Sequence, residues 1–192
     1  QGRGRAMTPR WETDVRFDPW SNFDRVASPA WQLWHGVSPS SPRSPNGGPP
    51  GTVGLGDEVA RINSGVFYTT PSVGGFKLDL SYGANKNIAD PATRTRNLSV
   101  VLAYDAGGAF TAMLAGERNG QGNKTVFGAA RYAFGPFAVF GGYEREQAPS
   151  GTLYFTGKDH NRSATLAGSY TAGATTYKIG YGRQLDTDGN YF

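Results

Sequence analysis

The side chains best placed to do chemistry in this sequence are charged groups that recur on one side of strand-like stretches, and the chemistry they suit is electrostatic. Lys77, Asp79, Glu117, Arg131, Glu144 and Lys178 fall on the polar side of alternating segments, and Arg61 has the same parity at the start of another. Such groups hold ions and order water. None belongs to a catalytic constellation: His35 and His160 lie in segments read as loops, and Ser163, near His160, lacks a spacing that implies a nucleophile and its base. The glycines of GTVGLGDE, Gly51, Gly54 and Gly56, match a phosphate loop only loosely, because no Gly-Lys-Ser/Thr follows. The sequence has no cysteine, which removes thiol catalysis, disulfide frameworks and Cys-based zinc sites together. No enzyme, cofactor or metal is implied.

The elements that must carry these charges are β-strands, because side chains of a strand alternate between its two faces. Leu98, Val100, Leu102 and Tyr104 share one face, and Asn97, Ser99, Val101, Ala103 and Asp105 the other. After the turn Asp105-Ala106-Gly107-Gly108, Phe110, Ala112 and Leu114 alternate with Thr111, Met113, Ala115 and Glu117. The same code reads from Arg61 to Thr69, from Phe76 to Tyr82, from Thr125 to Phe134, from Phe137 to Glu144, from Ala164 to Tyr170 and from Tyr177 to Gly182. This makes eight strands in four hairpins within residues 58–184, with tight turns at one end. The polar loops at the other end run from about Asn85 to Thr95, over NGQGNK, and from about Glu146 to Asn161. Short turns on one side and long loops on the other characterise barrels of the bacterial outer membrane.

Composition fits that reading better than a water-soluble core. Only 38% of the 192 residues are apolar, 28 are glycine and 13% are aromatic, with a mean hydropathy of -0.48. No stretch approaches the roughly 18 consecutive apolar residues of a membrane helix, so closure of a sheet is the remaining way to satisfy backbone groups in hydrocarbon. Aromatics are placed accordingly. Tyr68, Phe76, Tyr104, Phe110, Tyr132, Phe134, Phe137, Tyr170 and Tyr177 lie near tight turns, and Tyr82, Tyr143 and Tyr181 near the opposite strand ends, as two interfacial belts require. The net charge of +4 includes no clustered basic patch suited to nucleic acid.

Strand periodicity vanishes between residues 11 and 57. The segment opens with RWETDVRFDPWSNFDR, holds Trp11, Trp20, Trp31 and Trp34, and passes through SPSSPRSPNGGPPG. Its first half is expected to fold and its second half to be mobile; the tryptophans suit packing of the segment against the inner wall, anchoring at an interface or a platform on which a sugar stacks.

These stretches bring a family into view. VARINSGVFYTTPSVGGFKLDLSYG followed by NLSVVLAYDAGGAFTAMLAGE resembles the sixteen-stranded general porins of Gram-negative outer membranes. Arg61, Asn63, Tyr68 and the turn from Pro71 to Gly74-Gly75-Phe76 occur together as in one branch of that family. GRGRAMTP and the later FDPW resemble the strand end and third loop of a porin, the loop that folds inward and narrows the channel. The resemblance covers nearly the whole chain and about the middle half of a porin.

It implies an all-β fold: an antiparallel transmembrane β-barrel, of which this chain supplies about eight complete strands, with a constriction-type loop over 11–57. It also implies a Gram-negative outer-membrane location and a water-filled channel for small hydrophilic solutes and ions. The implied partners are outer-membrane lipid and lipopolysaccharide, and two further copies in a homotrimer of the full-length protein. Within the constriction, Arg61, Arg3, Arg5, Arg131, Lys77 and Lys178 are implied on the basic side and Glu12, Asp14, Asp18 and Asp24 on the acidic loop; Arg10 precedes the loop with the first group. A preference for anions is expected from the balance of charge. With no initiating Met, and with Asp186, Asp188 and Asn190 where a terminal strand would be apolar, the chain is expected to be a segment of a longer protein. Two other readings use the same strands: a small structural or adhesive barrel filled by its own side chains, and a soluble carbohydrate-binding β-sandwich with its aromatic rows buried between sheets.

Overall fold

The computed structural model describes residues 6–7, 15–20, 61–62, 65–86, 94–118, 124–147 and 160–186. Strand β1 (Ala6–Met7) pairs with β2 (Arg61–Ile62) as a short antiparallel ladder, and the described residues between them, 15–20, include a 3-10 turn, Val15–Phe17. The remaining strands are β3 (Gly65–Thr69), β4 (Phe76–Lys86), β5 (Arg94–Asp105), β6 (Phe110–Arg118), β7 (Lys124–Phe134), β8 (Phe137–Gln147), β9 (His160–Ala172) and β10 (Thr175–Gln184). They form one eight-stranded antiparallel sheet in which each strand neighbours the next in sequence. The periodicity that runs from Arg61 to Thr69 is thus divided between two ladders, Arg61 and Ile62 pairing with Met7 and Ala6 and residues 65–69 with β4.

Two strand pairs run further than their apolar alternation. Lys86 still pairs with Arg94, inside the expected loop from Asn85 to Thr95, and Gln147 pairs with His160, which therefore begins a strand and is not a loop residue. The reason is that a backbone ladder needs no apolar side chains once it leaves hydrocarbon, so polar residues extend it invisibly to a periodicity argument.

The tight turns behave as their glycines predict. Gly74, Gly75, Gly107, Gly135 and Gly173 all have positive φ, and the β7–β8 and β9–β10 turns are two-residue connections that start with that glycine. At Gly75 the requirement is also steric: with φ +84°, an added Cβ would stand 2.9 Å from Ala106 Cβ of the next turn. The two turns are joined there by the Asp105 amide donating to Gly75 O at 2.8 Å.

Burial in this sheet is inverted relative to a water-soluble protein. One face exposes Ile179 (78%), Leu114 (65%), Leu166 and Leu102, while the other buries Ser99 (0%), Glu144 (1%), Glu117 and Thr125 beside Val101, Met113 and Phe127. The alternation read in the sequence is the one observed, with Leu98 and Leu102 on the exposed side. Only an apolar solvent makes such an exposed face favourable, since water would penalise so wide an apolar surface.

The aromatic belt near the tight turns is nearly continuous. Ring centroids step from Phe76 to Tyr104 (4.8 Å) and on to Phe110 (6.2 Å), and from Tyr132 through Phe134 (5.8 Å), Phe137 (5.5 Å) and Tyr170 (4.7 Å) to Tyr177 (6.3 Å). Phe110 and Tyr132 are register partners that link the two runs. Tyr82, Tyr143 and Tyr181 are exposed towards the other end. Phe76 and Tyr82 both belong to β4, and their spacing is about 20 Å along the strand, the scale of an outer-membrane apolar band.

Candidate functional site

The buried face carries the charges. On it, Lys77 Nζ lies 3.1 Å from Asp79 Oδ2, and Thr69 Oγ1 donates to Asp79 Oδ1 at 2.6 Å, which ties β3 to β4 through side chains as well as backbone. Deeper across the sheet, register aligns Ser81 with Ser99, Ser99 with Glu117 and Glu117 with Thr125. Glu144 stands opposite Phe127 on one side and Ser163 on the other. A polar row thus crosses β4 to β7 at the long-loop end of this face, with Glu144 and Ser163 continuing its polar character on β8 and β9.

Cations dominate the same face nearer the tight turns. The Arg131 guanidinium carbon is 5.8 Å from the centroid of the Phe140 ring, within cation–π range, and Lys178 is exposed on β10. Lys77 and Arg131 are half-buried, whereas Asp79, Glu117 and Glu144 are buried. Asp105 is an exposed acid of the same parity, and its Oδ1 accepts from Gly107 N at 2.9 Å, holding its own turn.

Between the acidic and basic levels a piece of the long segment docks onto the wall. Phe17 (3% exposed) joins a buried cluster with Val101, Met113, Ala115, Phe127 and Ala129, with Ala103 packed against it, and the 3-10 turn touches β7 and β8. Asp18 beside it is also buried. Its Oδ1 accepts from Trp20 N at 3.3 Å, the local bond by which an aspartate begins a turn. Small residues on the wall, Ala103, Ala115 and Ala129, leave room for the Phe17 ring. The segment is therefore seated by shape: an aromatic knob on an alanine-lined patch.

Of the residues singled out from sequence, Lys77, Arg131 and Lys178 lie on this face as expected, and Asp18 is carried against it by the docked turn. Arg61 takes part in the β1–β2 ladder opposite Met7; its side chain lies outside the described residues, as do Arg3, Arg5, Arg10, Glu12, Asp14 and Asp24. Trp20 is half-buried next to the docked turn, while Trp11, Trp31 and Trp34 lie outside the described residues. Sequence reasoning did not single out Phe17. The available signal was its place in FDPW, an apolar residue directly before a turn-forming Asp-Pro, in a segment otherwise rich in charge.

Comparison with known proteins agrees with this architecture. A comparison with curated protein sequences finds no match. Among solved structures, an anion-selective porin from Comamonas acidovorans superposes with a TM-score of 0.64 at 20% identity over 95% of this chain. The chain spans about half of that porin, 53% of its length, and at this identity the likeness speaks for the fold. The sequence profile of Gram-negative porins matches residues 4–191, practically the whole chain. This chain, with its apolar wall turned outward and its charges turned inward, belongs to the Gram-negative porin family, whose place is the outer membrane.

Proposed function

We propose that the protein forms a water-filled channel for passive diffusion of small hydrophilic solutes and ions, with a preference for anions. The observation that carries the proposal is the docked turn at Phe17–Asp18, which sets part of the long segment against the charged face of the wall, where a constriction would lie. A narrowed passage between low-dielectric walls strengthens the field of its charges and sorts solutes by sign. The proposed constriction sets Arg61, Arg3 and Arg5, with Lys77, Arg131 and Lys178 further along the wall, against Glu12, Asp14, Asp18 and Asp24 of the loop.

The anion preference is supported by accessibility. Lys77, Arg131 and Lys178 are more exposed than Asp79, Glu117, Glu144 and Asp18, and the exposed acid of the same parity, Asp105, is engaged by its own turn. The anion selectivity of the solved porin from Comamonas acidovorans points the same way. Trimeric assembly of the full-length protein and contact with lipid and lipopolysaccharide of the outer membrane belong to the same proposal.

The test is single-channel recording of the full-length protein in asymmetric salt. An anion-favouring reversal potential is expected, and R61E should move it towards cations. Absence of conductance would overturn the channel reading. A cation-favouring potential in the wild type would overturn the selectivity, and an unmoved potential in R61E would remove Arg61 from the constriction.

A further inference from the structure

Phe127 and Phe140 are both buried on the charged face of the sheet, where an aromatic ring is out of keeping with a polar lumen. The docked turn accounts for Phe127, which packs with Phe17 in the buried cluster. Phe140 is only 7% exposed as well, yet it does not belong to that cluster. What stands over its ring is Arg131, the residue directly opposite it in the β7–β8 register, with the guanidinium carbon 5.8 Å from the ring centroid.

The surroundings leave this arginine to the ring. Its neighbours of the same parity are Thr111 across the β6–β7 ladder, Ala129 and Ala133 along its own strand, and Ala138 and Gly142 to either side of Phe140 on β8. Of these, only Phe140 offers a broad surface, and among the described residues no carboxylate lies within ion-pair distance of Arg131. Lys77, by contrast, is tied to Asp79 at 3.1 Å. The two cations are thus fixed in different ways. A carboxylate holds a cation and offsets its charge, whereas a ring attracts a guanidinium through its π-face and leaves the charge in place. The N–H donors of a guanidinium lie in its own plane, so a ring against one face takes none of them.

We propose that Phe140 is a positioning residue that holds the Arg131 guanidinium by its face, keeping the donor edge and the full charge turned to the lumen, and that this pair lets the channel favour carboxylates over halide ions. A planar carboxylate accepts a pair of parallel charge-assisted hydrogen bonds from a fixed arginine fork, and a spherical halide cannot. Lys77 and Lys178 present a point charge on a flexible stem and draw both kinds of anion alike. The proposal rests on the channel reading above and deepens it by naming a class of solute and the residue that orients the group receiving it.

The experiment places the full-length protein in a planar bilayer with acetate on one side and chloride on the other. R131K keeps the charge but loses the fork, and is expected to lower the acetate-to-chloride permeability ratio by about two- to fivefold, the factor that one cation–π contact or one charge-assisted bond is worth. F140L keeps the arginine and an apolar wall, and should lower the ratio likewise, while F140Y, which keeps a ring, should hold the wild-type value. The double variant F140L/R131K should fall no lower than R131K, since both changes remove the same arrangement. A merely structural role for Phe140 would change stability or total conductance and leave the ratio where it was. An unchanged ratio in F140L or R131K, or a double variant lowered by the product of the two single effects, overturns the proposal. Should F140L not fold, F140M carries the same comparison. A second readout does not depend on conduction: in detergent micelles the Arg131 Nε–H resonance should be moved upfield by the ring current in the wild type and return to its ordinary position in F140L. An unshifted resonance in the wild type overturns the positioning role. A wild type that shows the shift but does not conduct overturns the channel reading alone, and one that conducts with its ratio unchanged in F140L overturns the role of Phe140 alone.

Discussion

Phe17, from the 3-10 turn in the segment that joins β1 to β2, shares a single buried cluster with Phe127 of β7, although β1 and β2 pair with each other in one sheet and β7 belongs to the other. Burial of a phenylalanine ring contributes about 2 kcal/mol. F17A is therefore expected to release the docked turn and to widen the passage, read as a rise in single-channel conductance with the barrel still formed. Unchanged conductance would mean that the turn is held by other residues.

The Lys77–Asp79 pair predicts opposite shifts of selectivity. With its carboxylate neutralised in D79N, Lys77 becomes an uncompensated cation on the inner wall, and the reversal potential should move further towards anions. K77Q should move it the other way, and the double variant should return close to the wild type. The effect on stability is expected to be small, about 1 kcal/mol or less for a pair whose lysine reaches solvent, with a further ~1 kcal/mol if the Thr69 hydroxyl loses its acceptor.

Gly74 and Gly75 separate two costs that usually travel together. Both have positive φ, at which alanine is disfavoured by about 1–2 kcal/mol. Only at Gly75 does a new methyl also collide with Ala106, at 2.9 Å. G75A should therefore unfold at lower urea than G74A, by a margin on the order of 1 kcal/mol or more. Equal midpoints would show that the turns move apart without cost.

Acid should loosen the end of β10. Hydrogen bonds from the Arg162 guanidinium, followed by its charge, hold the Asp186 carboxyl below the ordinary aspartate range. A depressed value means that the contribution is complete above the ordinary pKa of 3.8 and disappears as pH falls through the lower, folded-state value. The Leu185 amide, which donates to Arg162 O at 2.7 Å, reports on it: its hydrogen exchange should be faster in D186N at neutral pH. After correction for intrinsic exchange, wild type and variant should converge once Asp186 is protonated. A difference that persists there would rule out the ion pair as its source.

The faces of the strands were legible in the sequence because lipid and water impose opposite demands on alternate residues, so Leu98 and Ser99 could be assigned to sides without any partner strand in view. Tight turns were legible for a local reason, the glycine at each, and the belt from Phe76 to Tyr177 because interfacial rings gather near those turns. Strand ends were not. Lys86, Arg94, Gln147 and His160 pair through their backbones beyond the band where side-chain polarity carries information. Nor was the docking of Phe17, since what seats it is the absence of bulk at Ala103, Ala115 and Ala129, on strands 86 or more positions away. The charges of the inner wall were found by parity, but parity gives a side and not a depth. Glu117 and Glu144 proved buried, whereas Lys178, nearer the tight turns, is exposed.

Since every strand of the large sheet pairs with the one just before or after it in the chain, its contacts are as local as a β-structure permits. Folding of such a meander requires no distant partner to be found before the first ladder forms, which lowers the entropic barrier that slows most β-proteins. Each hairpin can be laid onto the growing edge of its predecessor, and the order of synthesis can serve as the order of assembly.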